Sequence, residues 1–343
     1  MELVKRTVMN SLLLAGDIGG TNTRLRLADS QTKGLSPLYE SNFVNSGFSD
    51  LVSIVQQFLA QAAAKLGDSP QPEKACFAVA GPVSNNTCKL TNLDWVLEGQ
   101  QLEQELDIPQ VALINDFAAV GYGVLQLDKN NPEDLLTLQE GKYQEDAPIA
   151  VIGAGTGLGE AFVIKGQVYA TEGGHIDFAA RTQDEFDLLK YLKAKYNLKR
   201  VSVERVVSGA GIADIYQFLR DEKHLQESPA IAAKMNDGDR AEVIAQAALN
   251  KSDPLCEKAM QMFIAAYGNE VGNFALKLLP FGGLYVAGGI AQKNLPLIKE
   301  EVFLKELTDK GRMKDLIRKV PIYVVKNPHV GLIGVAHYAA TQL

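Results

Sequence analysis

Apolar residues in this chain fall into two kinds of pattern. Leu12-Leu13-Leu14-Ala15, Ala75-Cys76-Phe77-Ala78-Val79-Ala80, Val111-Ala112-Leu113-Ile114 and Ile149-Ala150-Val151-Ile152 are short unbroken runs. Runs of that length predict strands of a parallel sheet covered on both faces. Elsewhere the spacing is helical. Leu51, Ile54, Val55, Phe58, Leu59 and Ala62 predict a helix over 49–66, with Gly67 as its stop. Further helices are expected from Asp116 to about 125, over 184–196 and over 212–219. Asp253-Pro254 opens a long one that ends at Pro280, with an N-cap aspartate and a first-turn proline. Strands at 282–290 and 322–325 follow, and the tail from 328 to 343 reads as a helix returning to the first part of the chain. The sum is an α/β protein.

Two hairpins punctuate this order. Leu12 to Asp17 rises into the turn Ile18-Gly19-Gly20-Thr21-Asn22, and Thr23 to Asp29 returns with polar and apolar positions alternating. The second rises through 149–152, turns through Gly153-Ala154-Gly155-Thr156-Gly157-Leu158-Gly159 and returns as Ala161-Phe162-Val163-Ile164. The repeated outline suggests two related halves facing each other across a cleft. The segment 128–147 is rich in Asp, Glu, Asn, Gln and Pro, and the first domain boundary is placed at its start. The expected domains are 1–126 with 328–343, and 127–327.

Composition narrows the function. With 343 residues there is chain enough for two cores, and 46% hydrophobic with 22% charged residues is ordinary for a globular protein. Acidic residues outnumber basic ones, 41 to 34, without a Lys/Arg cluster, so nucleic acid is not an expected partner. Cys76, Cys88 and Cys256 are odd in number and far apart, which suits a reducing compartment and neither a disulfide framework nor a zinc cage. No membrane span is expected, and a cytoplasmic location is.

The candidate chemistry sits at turns and strand ends. Val111 to Ile114 delivers Asn115 and Asp116 to the carboxyl end of a buried strand, where open α/β sheets bind ligands. Asp116 is a candidate base, although either residue could simply cap the following helix. Paired glycines let backbone amides approach an anion, and Thr21 adds a hydroxyl; an ordinary hairpin would look the same. Neither glycine turn is a Walker loop. The second also fails the Gly-x-Gly-x-x-Gly spacing, since Leu158 stands at its last glycine. Glu172-Gly173-Gly174-His175-Ile176-Asp177 packs two carboxylates and an imidazole around two glycines, within what reads as a loop from Tyr169 onward. Such mixed donors and acceptors suit sugar hydroxyls, while His175 alone would more often be structural. Glu204 lies among valines and points either outward or inward with a purpose. Trp95, in the loop 90–95 that enters a helix, is read as packing. Gly288-Gly289 ends a strand where a flat adenine could approach.

Taken together, three glycine-rich turns and a strand-end aspartate resemble the sugar-kinase branch of the superfamily of hexokinase, actin and the seventy-kilodalton heat-shock proteins. The closer resemblance is to the bacterial glucokinases. It is carried by Asp17-Ile18-Gly19-Gly20-Thr21-Asn22, Ile114-Asn115-Asp116-Phe117, Gly153-Ala154-Gly155-Thr156-Gly157, Glu172-Gly173-Gly174-His175, Glu204 to Gly209 and Val286-Ala287-Gly288-Gly289-Ile290. Relatives with a structural zinc have a cysteine cluster after the histidine segment; none stands here, which implies the zinc-free group. The resemblance implies two ribonuclease-H-like (actin-like ATPase) domains, each a mixed sheet flanked by helices, with the active site in the cleft between them. It implies transfer of the γ-phosphoryl group of ATP to the 6-hydroxyl of glucose. Asn115, Asp116, Glu172, His175 and Glu204 would then hold the sugar, with Asp116 accepting the proton. Asp17 would act on Mg2+ through water, and Gly19, Gly20, Thr21, Asn22, Gly155, Thr156, Gly157, Gly288 and Gly289 would take the nucleotide. It also implies a homodimer, and closure on the sugar that keeps water from the phosphoryl group. The rivals are a kinase for another hexose or amino sugar, and an actin-like ATPase or sugar sensor without transfer.

Overall fold

The computed structural model describes residues 11–31, 35–90 and 93–343. The chain forms two compact units, one reaching to Asp128 and taken up again at His329–Leu343, the other Lys129–Pro328.

The first unit opens with β1 (Leu12–Ile18), β2 (Asn22–Asp29) and β3 (Pro37–Val44), followed by α1 (Leu51–Leu66) and β4 (Lys74–Val79). After β5 (Thr87–Lys89), β6 (Val96–Glu98) and α2 (Gly99–Leu106) come β7 (Gln110–Asn115) and α3 (Asp116–Val124). Among the described residues the main sheet has the order β3-β2-β1-β4-β7. β1, β4 and β7 are parallel, so their carboxyl ends share one edge.

The unbroken apolar runs are buried on both faces because strand side chains alternate. Leu12, Leu14, Phe77 and Val79 join a core under α1 that includes Ile54, Val55 and Phe58. Leu13, Ala15, Cys76, Ala78, Ala112 and Ile114 face the other way. That second face is built largely of small side chains, which lets a helix lie close. Asp50 caps α1 by accepting from Ser53 N, and Gly67 closes it in the left-handed conformation at φ 77°. β2 does not alternate strictly: Arg26 is buried and pairs with Glu40 of β3, a strand the sequence pattern did not announce. In the expected loop 90–95, Thr91 and Asn92 lie outside the described residues. The short strand β6 precedes the helix there.

The second unit carries β8 (Leu135–Gln139), β9 (Ile149–Ala154), β10 (Leu158–Ile164), β11 (Gln167–Thr171), α4 (Gln183–Tyr196), α5 (Gly209–Asp221), α6 (Pro229–Asp237), α7 (Arg240–Leu249) and α8 (Pro254–Leu278). Then follow β12 (Leu284–Ala287), α9 (Gly289–Lys293), α10 (Leu295–Ile298), α11 (Glu301–Thr308), α12 (Lys314–Ile317) and β13 (Ile322–Val325). Its sheet has the order β11-β10-β9-β12-β13-β8. The polar stretch at the expected boundary therefore supplies an edge strand: Leu135 and Leu136 of β8 pair with Val325 and Val324. Tyr169 to Thr171, expected as loop, belong to β11 and pair with β10. α8 is the central helix of this core, with Phe263, Tyr267, Val271 and Ala275 fully buried.

The last helix, α13 (Val330–Gln342), lies in the first unit and fills the small-residue face with Leu332, Val335, Ala336 and Ala339. Its approach to α3 is close. A Cβ at Gly123 would overlap the Val330 carbonyl, and one at Gly334 would overlap that of Ala119.

Candidate functional site

In the first unit the site residues stand at the carboxyl edge of the parallel strands. The register aligns Asp17 with Ala78, and Val79 with Asn115, which puts Asp17 and Asn115 at the same edge two strands apart, about 10 Å by strand spacing. The first glycine turn is held from below by Asn45. Its N–H donates to Thr21 O at 2.8 Å, its Nδ2 donates to Gly19 O at 2.8 Å, and its Oδ1 accepts from Thr23 Oγ1 at 2.8 Å. Asn45 is buried while Gly20, Thr21 and Asn22 stay exposed, so the turn is rigid underneath and open above. Sequence reasoning missed Asn45. Val44-Asn45-Ser46-Gly47 has only turn composition, and its partner lies 26 residues away.

Capping of α3 falls to Asn115 and not to its neighbour. Asn115 is the N-cap of α3, its Oδ1 accepting from Phe117 N at 2.9 Å and Ala118 N at 3.1 Å. Its Nδ2 donates to Gly81 O at 3.3 Å and keeps one hydrogen for a ligand. Asp116 is thereby released from cap duty and stands exposed in the first turn, its Oδ1 accepting from Phe117 N at 2.8 Å. Surrounding protein, aided by the Asp17 charge, raises the Asp116 carboxyl to about 6. Burial raises Asp17 as well, against the attraction of Arg24. Gly331 near the start of α13 is adjacent, since a Cβ there would lie 3.8 Å from Asp17 Oδ2.

In the second unit three backbone turns meet at the ends of β9 and β12. Gly155 N donates to Gly157 O at 2.8 Å, and Gly209 N donates to Gly155 O at 2.9 Å. Gly288, at φ 85°, lies so close that a Cβ would come within 2.5 Å of Ala154 O. By contrast, a Cβ at Gly155 or Gly289 would meet nothing within 4 Å. Tight glycines beneath and open glycines above make a cradle for a flat or anionic group, with Thr156 exposed at its rim.

Glu204 links that cradle to the histidine segment. The backbone of Ile176 and Phe178 bonds to Val203 and Val201, which draws Glu204 beside His175. Its Oε2 accepts from Leu158 N at 3.0 Å, and its Oε1 lies 3.9 Å from His175 Nδ1. Glu172 Oε2 lies 3.7 Å from His175 Nε2. Those last two gaps are too long for hydrogen bonds, so an imidazole and two carboxylates converge with bonding capacity to spare. Glu204 points inward, over Gly157, where a Cβ would come within 2.5 Å of its Oε2. Gly173 and Gly174 are equally constrained, a Cβ at the former overlapping Glu160 Oε2 and at the latter the Leu158 carbonyl. Glu160 was not singled out by the sequence, where it is one polar position in a strand.

Among the described residues no group of three or more His, Cys, Asp or Glu side chains could hold a metal ion. A divalent cation fits only where phosphate oxygens and water complete its shell, with one carboxylate such as Asp17 behind it. All three cysteines are free and buried. Among the described residues no helix is long and apolar enough to cross a membrane.

Known proteins resemble this chain over nearly its whole length. Residues 14–342 match the family model described as Glucokinase. The chain is 54% identical over 346 residues to the glucokinase of Nostoc punctiforme, covering 96% of this chain and 99% of that one. It is 51% identical over 348 residues to the glucokinase of Synechocystis, covering 95% and 97%. Among solved structures, the glucokinase of an Antarctic psychrotroph superposes with a TM-score of 0.79 at 29% identity, covering 96% of this chain and 98% of that one. A glucokinase of the ROK family from Streptomyces griseus, solved with glucose and AMPPNP, shares the fold at a TM-score of 0.64 and 20% identity, over 96% and 99%. Those neighbours are sugar kinases of the actin-like ATPase fold. On family match, identity and coverage together, this chain belongs to the glucokinase family.

Proposed function

We propose that this chain transfers the γ-phosphoryl group of ATP to the 6-hydroxyl of glucose, with Asp116 accepting the proton of the attacking hydroxyl. Membership of the glucokinase family supports the reaction, and one observation carries the residue assignment. Asn115 takes over the cap of α3, which leaves Asp116 exposed at a parallel-strand edge with its carboxyl raised to about 6. A carboxylate so placed is ionised at neutral pH, yet is a better base than a free aspartate. In a loose phosphoryl transfer the proton leaves late, so holding the hydroxyl in line matters more than basicity.

The sugar hydroxyls are assigned to Asn115 Nδ2, Asp116, Glu172, His175 and Glu204. Three of these supply acceptors and one an imidazole, the mixture a polyol needs. The nucleotide is assigned to the first turn (Gly19, Gly20, Thr21, Asn22), the second (Gly155, Thr156, Gly157) and the Gly288-Gly289 turn. Open space above Gly155 and Gly289 supports that assignment. Neither glycine turn contains a lysine, so backbone amides must do much of the charge stabilisation. Asp17 would hold Mg2+ through water, and the ion would supply the remaining neutralisation of the phosphates. A cytoplasmic homodimer completes the reading, on family resemblance and on three free buried cysteines.

The test is a matrix of donors (ATP, ADP, polyphosphate) against acceptors (glucose, mannose, fructose, N-acetylglucosamine), read as sugar phosphate formed. ATP with glucose should give the highest kcat/KM. A higher value for another sugar would move the assignment to that hexose. ATP hydrolysis without sugar phosphate would make the protein an ATPase or a sensor.

A further inference from the structure

Behind the Glu172–His175 segment lies a carboxyl group that the reaction does not use. Glu160, on β10, is only 2% exposed, and its Oε1 is buried without a hydrogen-bond partner. Its Oε2 occupies the volume over Gly173 where any other residue would carry a Cβ; an added Cβ would also lie 2.6 Å from Glu160 Cδ. The same residue anchors the segment through its backbone. Thr171 Oγ1 donates to Glu160 O at 3.0 Å and accepts from Gly173 N at 3.1 Å, so one hydroxyl bridges β10 to the turn. The turn between Glu172 and His175 thus rests on Glu160.

We propose that Glu160 is a positioning residue for glucose, the switchable support beneath Gly173 that sets how Glu172 and His175 meet the sugar. The inference rests on the assignment of those two residues to the sugar. Burial, and the charge of Glu270 behind it, raise the Glu160 carboxyl to about 7, against the attraction of Lys277. The groups facing it are few. α8 supplies Tyr267, Glu270 and Lys277, and its strand neighbours are Ile152 of β9 and Thr171 of β11. Glu270 is likewise buried and raised by burial, so an ionised Glu160 would stand beside a second poorly solvated carboxyl. The neutral form lets the turn settle onto its support, and the ionised form pushes for water and lifts it. Sugar bound by Glu172 and His175 presses the turn down, so glucose favours the neutral form and its binding takes up a proton.

Glucose binding to the full chain, without nucleotide, should be measured by titration calorimetry from pH 5.5 to 8.5 in buffers of differing ionisation enthalpy. Wild-type affinity should be flat at the acid end and weaken through pH 7 to 8. The loss is about tenfold if glucose raises the Glu160 carboxyl by one unit. Proton uptake should peak in the same window. Glu160→Gln, neutral and of equal size, should keep acid-end affinity to pH 8.5 and lose most of the proton uptake, with kcat at saturating glucose unchanged. Every other group is common to both proteins, so the comparison isolates Glu160. An equally steep pH dependence in Glu160→Gln, or a flat profile in the wild type, would overturn the proposal. The sugar assignment has a separate arm: unchanged affinity at pH 6 in Glu204→Gln and Glu172→Gln would remove that assignment, whatever Glu160→Gln does.

Discussion

Glu204 and Gly157 occupy one another's space: the Glu204 carboxylate lies where a side chain at Gly157 would begin, and it bonds to Leu158 N in the same turn. One residue therefore braces the second glycine turn with one oxygen and faces His175 with the other. Gly157→Ala forces a flexible carboxylate aside without breaking the fold, so stability should hold while KM rises for both ATP and glucose. A charge-assisted hydrogen bond of about 1.5–3 kcal/mol puts the change at roughly tenfold or more. Glu204→Gln keeps an amide oxygen for Leu158 N and should raise KM for glucose far more than for ATP. Steady-state kinetics with each substrate varied in turn reads both outcomes, and a Gly157→Ala enzyme with wild-type constants would contradict the coupling.

Asp116 gives two signatures of opposite sign. As a base it must be ionised, so kcat should fall tenfold per pH unit below about 6. Asp116→Asn should cost about two to four powers of ten in kcat while glucose still binds. For stability the folded value, about 6, lies above the ordinary 3.8. The favourable contribution is complete below 3.8 and is lost as pH rises through 6, because the unfolded chain releases the proton first. Asp116→Asn should therefore melt higher than wild type at pH 7.5, and the two should converge near pH 4. Thermal melts across that range, beside a pH–rate profile, check both; an Asn variant melting below wild type at neutral pH would remove the stored cost.

Asn45 is expected to matter to the nucleotide and not to the sugar. Asn45→Ala takes away the anchor of Gly19 O and leaves the buried Thr23 hydroxyl without its acceptor. An unsatisfied buried hydroxyl costs about 1–3 kcal/mol, so the melting temperature should drop by several degrees. The freed first turn should raise KM for ATP several-fold, with glucose affinity measured alone unchanged.

What could be read from the chain was whatever is local. Gly67 after α1 and Asp253-Pro254 before α8 announce helix ends through bonds spanning four residues or fewer, and both stand where the pattern put them, whereas Ser49 and Asp50, expected inside the first helix, precede it, with Asp50 as its N-cap. The apolar runs gave the central strands because burial on both faces leaves no alternation to misread. Edge strands were another matter. β3 and β8 carry Glu40, Ser41, Thr137 and Gln139 on partly exposed faces, and nothing within their own spans distinguishes them from loops. Long-range partners were equally silent. Asn45 reaches back 26 residues, Leu158 bonds a carboxylate 46 residues on, and Glu160 shows its purpose only when Gly173 is laid over it. Glycines were visible in the sequence, but the side chains filling their missing Cβ space were not.

Two glycines three residues apart in α13 should respond oppositely to the same substitution. At Gly334 a Cβ would overlap the Ala119 carbonyl and lie 2.5 Å from Gly123 N, both rigid backbone. Relief requires α13 to move off α3, at about 1–3 kcal/mol by the usual cost of overpacking. At Gly331 the nearest heavy atoms would be Asp17 Oδ2 at 3.8 Å and Val120 Cγ2 at 4.0 Å, ordinary contact distances. Alanine there meets no clash and gains helix propensity, roughly 0.5–1 kcal/mol, less near a helix start than in its middle. Gly334→Ala should lower the melting temperature by several degrees, and Gly331→Ala should hold or raise it. Because α13 covers β1 and β4 and begins beside Asp17, Gly334→Ala should also weaken ATP use, with KM for ATP rising before kcat falls. Differential scanning calorimetry of both variants, with ATP kinetics on the same preparations, reads the contrast; equal melting temperatures would mean that the α3–α13 approach is looser than the backbone geometry requires.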